Sequence, residues 1–69
     1  ICHAPWIFVD TKIADGKHLT AYKTIAIDLK NAGANFEDKS VVVDGNIITS
    51  RQPDDIPDFA DAIDIALKA

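Results

Sequence analysis

The chain has 69 residues, 48% of them hydrophobic, and seven basic against eleven acidic side chains give it a formal net charge of −4. That balance is typical of a globular chain, not a disordered or collagenous one; without a basic stripe no nucleic-acid partner is expected, and no apolar run approaches the roughly 20 residues a membrane helix needs. A domain of this size buries only about 60% of the surface its unfolded chain exposes.

One cysteine, Cys2, and no Cys/His cluster leave neither a disulfide nor a structural metal to compensate. The chain is therefore expected to lean on another chain or on further sequence. The absence of methionine and the abrupt start at Ile1-Cys2-His3 read the same way, as a piece cut at the end of a strand.

In chain order, Ala4 to Ile13 reads as a helix. Trp6, Ile7, Val9 and Ile13 are apolar at three- and four-residue spacing, and Pro5 falls in the first turn, where its missing N–H costs nothing. Asp15-Gly16 is a turn, and His18 to Tyr22 a short strand. Thr24 to Ala32 is a second helix, with Ile25 and Leu29 one turn apart and Gly33 as its C-terminal cap. Val41-Val42-Val43 and Ile47-Ile48-Thr49 are β-branched runs around Asp44-Gly45-Asn46, a hairpin signature. After the loop Arg51-Gln52-Pro53, Asp55 is placed to cap a final helix with Pro57 near its start. Phe59, Ile63, Ala66 and Leu67 form its apolar stripe, and Asp58, Asp61 and Asp64 lie opposite. Alternation of helix and strand without linker or repeat predicts one α/β unit spanning residues 1–69.

Cys2 is the residue with chemistry. A strand ending at Ile1 and a helix beginning near Ala4 would place it on a sharp turn, exposed beside the positive end of a helix, an arrangement that favours the thiolate. The backbone N–H of His3 could then help hold an oxyanion. A lone cysteine is also often a small buried hydrophobe, and local spacing leaves both readings open.

Ile1-Cys2-His3-Ala4-Pro5 resembles the nucleophile elbow of the PfpI-like superfamily. The likeness continues through Leu19-Thr20-Ala21-Tyr22, Asn31-Ala32-Gly33-Ala34, Val41 to Asn46 and Ile48-Thr49-Ser50-Arg51, then Pro53, Asp55 and Pro57. The resemblance implies a flavodoxin-like, class I glutamine amidotransferase-like three-layer α/β sandwich of which this chain is the C-terminal part. It implies Cys2 as nucleophile, His3 as base partner and oxyanion donor, Tyr22 near the cysteine, and an acidic third member from upstream or from another subunit. It further implies a cytoplasmic, stress-related enzyme, either an intracellular peptidase or a glyoxalase/deglycase, acting on a peptide or a small aldehyde and assembling as a homo-oligomer. The alternative in another class is a non-catalytic redox sensor or chaperone-like stress protein in which Cys2 is oxidised.

Departures from the family pattern are Ala4 for glycine, Lys23 for proline, Ala26-Ile27 for charged residues, and Gln52 and Asp54 for glycines. His18 reads as a surface residue, Trp6 as packing, and Arg51 as an ion-pair partner of Asp54 or Asp55. The Asp58, Asp61 and Asp64 series reads as a solvated face. No metal site and no cofactor are predicted.

Overall fold

The computed structural model describes all 69 residues. A 3₁₀ turn at Ala4–Trp6 leads into helix α1 (Ile7–Thr11), which ends two residues earlier than the apolar spacing predicts. Lys12 turns the chain in the left-handed conformation, φ 63°, which buries Ala14 completely and leaves Ile13 43% exposed. Periodicity could not tell which of these two apolar residues would seal the core.

The expected strand at 18–22 is regular only at β1 (His18–Leu19). It pairs in parallel with a strand the sequence did not signal, β2 (Asn35–Phe36), in register His18 with Asn35 and Leu19 with Phe36. Two residues are too few for alternation to be visible. Between them a 3₁₀ turn at Lys23–Ile25 opens helix α2 (Ala26–Asn31), so β1, α2 and β2 form a strand–helix–strand crossover.

The predicted cap at Gly33 holds in detail. Its N–H donates to the Lys30 carbonyl and the Ala34 N–H to the Leu29 carbonyl, both at 3.0 Å, the paired bonds of a Schellman motif. Gly33 has φ 96°, and a Cβ there would lie 2.5 Å from Asp15 Oδ1, so both conformation and space call for glycine.

The hairpin is also as predicted and one residue longer in each arm. Strands β3 (Val41–Asp44) and β4 (Ile47–Ser50) are antiparallel around Gly45-Asn46, with Gly45 at φ 60°. Thr49 Oγ1 accepts the Thr20 N–H at 2.9 Å and Asp44 Oδ2 accepts the His18 N–H at 2.7 Å, tying the hairpin to β1. The core lies where α1, β1 and α2 meet. Ala14, Leu19, Ala21, Ile25 and Leu29 are buried there, with Phe8, Val9, Phe36 and Ile47 packed around them.

After Ser50 the structure corrects the reading of Asp55. A 3₁₀ turn at Pro53–Asp55 opens helix α3 (Ile56–Lys68), and the Asp55 carboxylate makes no cap bond to that helix. Instead it faces Arg51, receiving Nε at 2.9 Å, a second guanidinium nitrogen at 3.0 Å and the Arg51 backbone N–H at 3.1 Å. A bidentate cation outcompetes a single backbone donor for a buried carboxylate. Asp38 takes the remaining guanidinium nitrogen at 2.9 Å. His18 is on the surface, as expected, paired with Glu37.

Arg51 holds the Asp55 carboxyl below the usual carboxylate range through these hydrogen bonds. A depressed folded pKa means a contribution to stability that is complete above about pH 4, the unfolded value, and is lost as pH falls through the folded one. Asp55→Asn is therefore expected to melt lower than wild type at pH 6, with the gap closing below pH 4. A gap independent of pH in thermal melts would disprove the assignment.

The predicted stripe on α3 is only half used. Phe59 and Ile63 are half-buried against the hairpin, whereas Leu67 is 82% exposed. An open hollow of about 480 Å³ lies between the hairpin tip (Val43, Gly45, Asn46) and Ala62, Ile65 and Ala66 of α3. Trp6, Ile7 and Ile27 are also at least half exposed. No helix is long and apolar enough to cross a membrane.

Candidate active site

Cys2 stands at φ 61°, a left-handed conformation that costs a non-glycine residue on the order of 1–3 kcal/mol. The chain reaches it because its neighbours hold the turn on both sides. The Cys2 N–H donates to the Ser50 carbonyl at the end of β4 (3.1 Å), and the Cys2 carbonyl accepts the Tyr22 N–H (2.8 Å). Ala4 closes the turn by donating to the Ile1 carbonyl at 3.1 Å, and Trp6 donates to the His3 carbonyl at 3.0 Å. The elbow read from the sequence is thus present: a strained residue at the entrance to a helical segment. That segment is short, so proximity to His3, more than a long helix dipole, is what the geometry offers a thiolate.

The Cys2 side chain is half-buried and free of any disulfide. Its Sγ lies 3.3 Å from Nδ1 of His3, a distance that permits a thiol–imidazole hydrogen bond. The His3 N–H donates to no backbone carbonyl, whereas the Ala4 N–H is already engaged. Of the two successive donors at the turn, only that of His3 is therefore available to a developing oxyanion.

Tyr22, carried by the segment that hydrogen-bonds Cys2, stacks obliquely on His3 with ring centroids 5.0 Å apart. The structure thus brings together Cys2, His3 and Tyr22, all three residues named from the sequence.

Two neighbours were not foreseen. Thr24 Oγ1 lies 3.3 Å from Nε2 of His3, at the ring nitrogen opposite the thiol. Trp6, read as packing, is instead half exposed beside His3, centroids 6.2 Å apart, and its Nε1 donates to Asp28 Oδ2 at 2.9 Å. Thr24 carried no local signal, since its contact with His3 spans 21 residues and depends on the path from β1 to α2. No carboxylate of the chain bonds His3, and the acidic member implied by the resemblance is not among residues 1–69 at the ring. No three His, Cys, Asp or Glu side chains gather at metal-binding distance.

Comparison with known proteins supplies the context. A family model described as the DJ-1/PfpI family matches residues 1–64. A Staphylococcus haemolyticus protein, "Uncharacterized protein SH1084", is 58% identical over 59 residues, covering 86% of this chain and 34% of that protein. The Bacillus subtilis protein named "Putative cysteine protease YraA" is 52% identical over 59 residues, covering 86% of this chain and 35% of its own length. The chain therefore spans about a third of the length of these relatives.

A crystal structure of a two-domain Anabaena variabilis protein with DJ-1/ThiJ/PfpI-like and ferritin-like domains superimposes with a TM-score of 0.93. It is 42% identical, with 97% of this chain and 19% of that one covered. The flavodoxin-like α/β class expected from the sequence holds.

Proposed function

The chain belongs to the DJ-1/PfpI family, and from that premise we propose that it works as a cysteine-dependent hydrolase of peptidase type, with Cys2 as nucleophile and His3 as its base. The observation that carries the reading is the 3.3 Å approach of Sγ to Nδ1 on a turn strained enough to hold φ at 61°. Strain of this kind persists only where the surroundings over-determine it, and nucleophile elbows are such places. The name of the Bacillus subtilis relative adds support.

The thiol proton passes to His3 Nδ1, leaving a thiolate and an imidazolium. The thiolate attacks the peptide carbonyl, a C–S bond forms, and the oxygen becomes an oxyanion that the His3 N–H stabilises. Collapse breaks the C–N bond, and the imidazolium returns its proton to the leaving amine. Water, deprotonated by His3, then hydrolyses the thioester and restores the thiol. An aldehyde substrate would use the same thiolate, forming a hemithioacetal. In the same reading the protein is a cytoplasmic homo-oligomer, supported by the exposed Trp6, Ile7 and Ile27 and by a lone cysteine that must stay reduced.

A brief iodoacetamide pulse at about pH 6, followed by intact mass, tests the core of this reading on the native protein. An ordinary thiol of pKa about 8.5 is almost wholly protonated at that pH and labels slowly. Fast single labelling at Cys2, slowed in His3→Ala, is expected; slow labelling of the wild type would overturn it. Parallel assays on a peptide and on methylglyoxal then distinguish hydrolase from aldehyde chemistry.

A further inference from the structure

We propose that Thr24 is a positioning residue of the Cys2–His3 pair: its hydroxyl oxygen accepts the Nε2–H of His3 and so helps keep the Nδ1 lone pair facing the thiol. The inference rests on the reading of Cys2 and His3 as nucleophile and base and extends it by one residue. It starts from the fact that an imidazole has two neutral tautomers and that only one of them serves here.

The two ring nitrogens of His3 meet different groups. Nδ1 lies 3.3 Å from Cys2 Sγ, and Nε2 lies 3.3 Å from Thr24 Oγ1. With the proton on Nε2, Nδ1 is bare and accepts the S–H bond. When the thiol proton moves to Nδ1, the ring carries both N–H groups, and the Thr24 oxygen still accepts from Nε2. The hydroxyl therefore supports the pair before and after proton transfer. With the proton on Nδ1 instead, the thiol has no base in front of it; the Thr24 hydroxyl then donates to the bare Nε2, and it must reverse that bond before the ring can become an imidazolium.

Nothing else in the chain holds that orientation by hydrogen bonding. His3 is exposed, and the nearby Asp28 carboxylate is engaged by Trp6 Nε1. Tyr22 and Trp6 flank the ring, 5.0 and 6.2 Å between centroids, and restrict its rotation without choosing a tautomer. Thr24 sits in the 3₁₀ turn Lys23–Ile25, anchored by the buried Ile25 and by the Ile25 N–H bond to the Tyr22 carbonyl at 3.1 Å. A hydroxyl on so fixed a segment can orient its partner.

Iodoacetamide labelling rates of the native protein from pH 5 to 9, for wild type, Thr24→Val, Thr24→Ser and His3→Ala, test the proposal. Thr24→Val is expected to lower the neutral-pH rate by about three- to tenfold, the scale of one lost hydrogen bond, and Thr24→Ser to restore it. Imidazole ¹⁵N shifts of Cys2→Ser at pH 9, where the group facing Nδ1 stays a neutral hydroxyl, are expected to report the Nε2–H tautomer, and they decide the matter even if Thr24→Val does not fold. A Thr24→Val profile identical to wild type, or an Nδ1–H tautomer in Cys2→Ser, overturns the role of Thr24. If Thr24→Val is silent while His3→Ala slows labelling, only that role falls. If His3→Ala is silent as well, the nucleophile–base reading falls with it.

Discussion

Replacing Cys2 with Ala is expected to reduce turnover to the background that binding and the oxyanion donor alone provide, a loss on the order of 10⁴-fold or more. Serine should fare little better. Its hydroxyl keeps a proton that the imidazole, 3.3 Å from Sγ, is placed to take from a thiol, and a serine alkoxide is far harder to form than a thiolate. The measurement is kcat/KM on whichever substrate class the wild type turns over, with intact mass confirming the absence of residual thiol. Retained turnover in Cys2→Ala would remove the cysteine mechanism altogether. Stability provides an internal control. Alanine keeps the left-handed strain at φ 61°, whereas glycine relieves it, so Cys2→Gly should melt above Cys2→Ala while being equally inactive.

That pairing of lost activity with gained stability expresses how the elbow is built. The strain at Cys2 is held by the end of β4 through Ser50 and by the approach to α2 through Tyr22, two segments distant in sequence. The second of these also carries groups around the site, since Tyr22 stacks on His3 and Thr24 follows two residues later. The Arg51–Asp55 pair fixes the chain immediately after Ser50. The nucleophile is thus maintained by the fold, and the cost of its conformation is offset in the core.

What could be read from the sequence was what neighbouring residues determine. Cys2 and His3 are adjacent, so their meeting needed only a turn. Gly33 closes a helix through its own bond to Lys30 and that of Ala34 to Leu29, all within six residues. The hairpin follows from β-branched runs around Asp44-Gly45-Asn46. What escaped depends on distant partners. The strand at Asn35–Phe36 exists because β1 is beside it, not because of its own pattern. Arg51 does pair with Asp55, one of the two partners read for it, and that bond draws the carboxylate away from the helix cap also expected of Asp55. Trp6 has the spacing of a core residue but lies half exposed with its Nε1 on Asp28. Thr24 has no marking in the sequence at all, and only the folded path from β1 into α2 brings its hydroxyl to the far side of the His3 ring.

Leu29→Ala is expected to cost about 2–5 kcal/mol, the range for large-to-small substitutions at well-packed sites. Leu29 is fully buried, and two of its four core companions, Ala14 and Ala21, are too small to move in and fill the space. The cavity would also open beneath the Schellman turn, where the Leu29 carbonyl accepts from Ala32 and Ala34 and the Leu29 side chain packs near Ala34. Leu29→Met, which conserves volume, should cost less than about 1.5 kcal/mol. In denaturant unfolding the alanine variant should show a lower midpoint with an unchanged slope. Because α2 and its opening turn carry Asp28 and Thr24, the same variant should also slow Cys2 labelling at neutral pH, through loss of order around His3. A destabilisation below about 1 kcal/mol would mean that the core at α1, β1 and α2 collapses around the gap, and that the rigidity ascribed here to the Thr24 turn has another source.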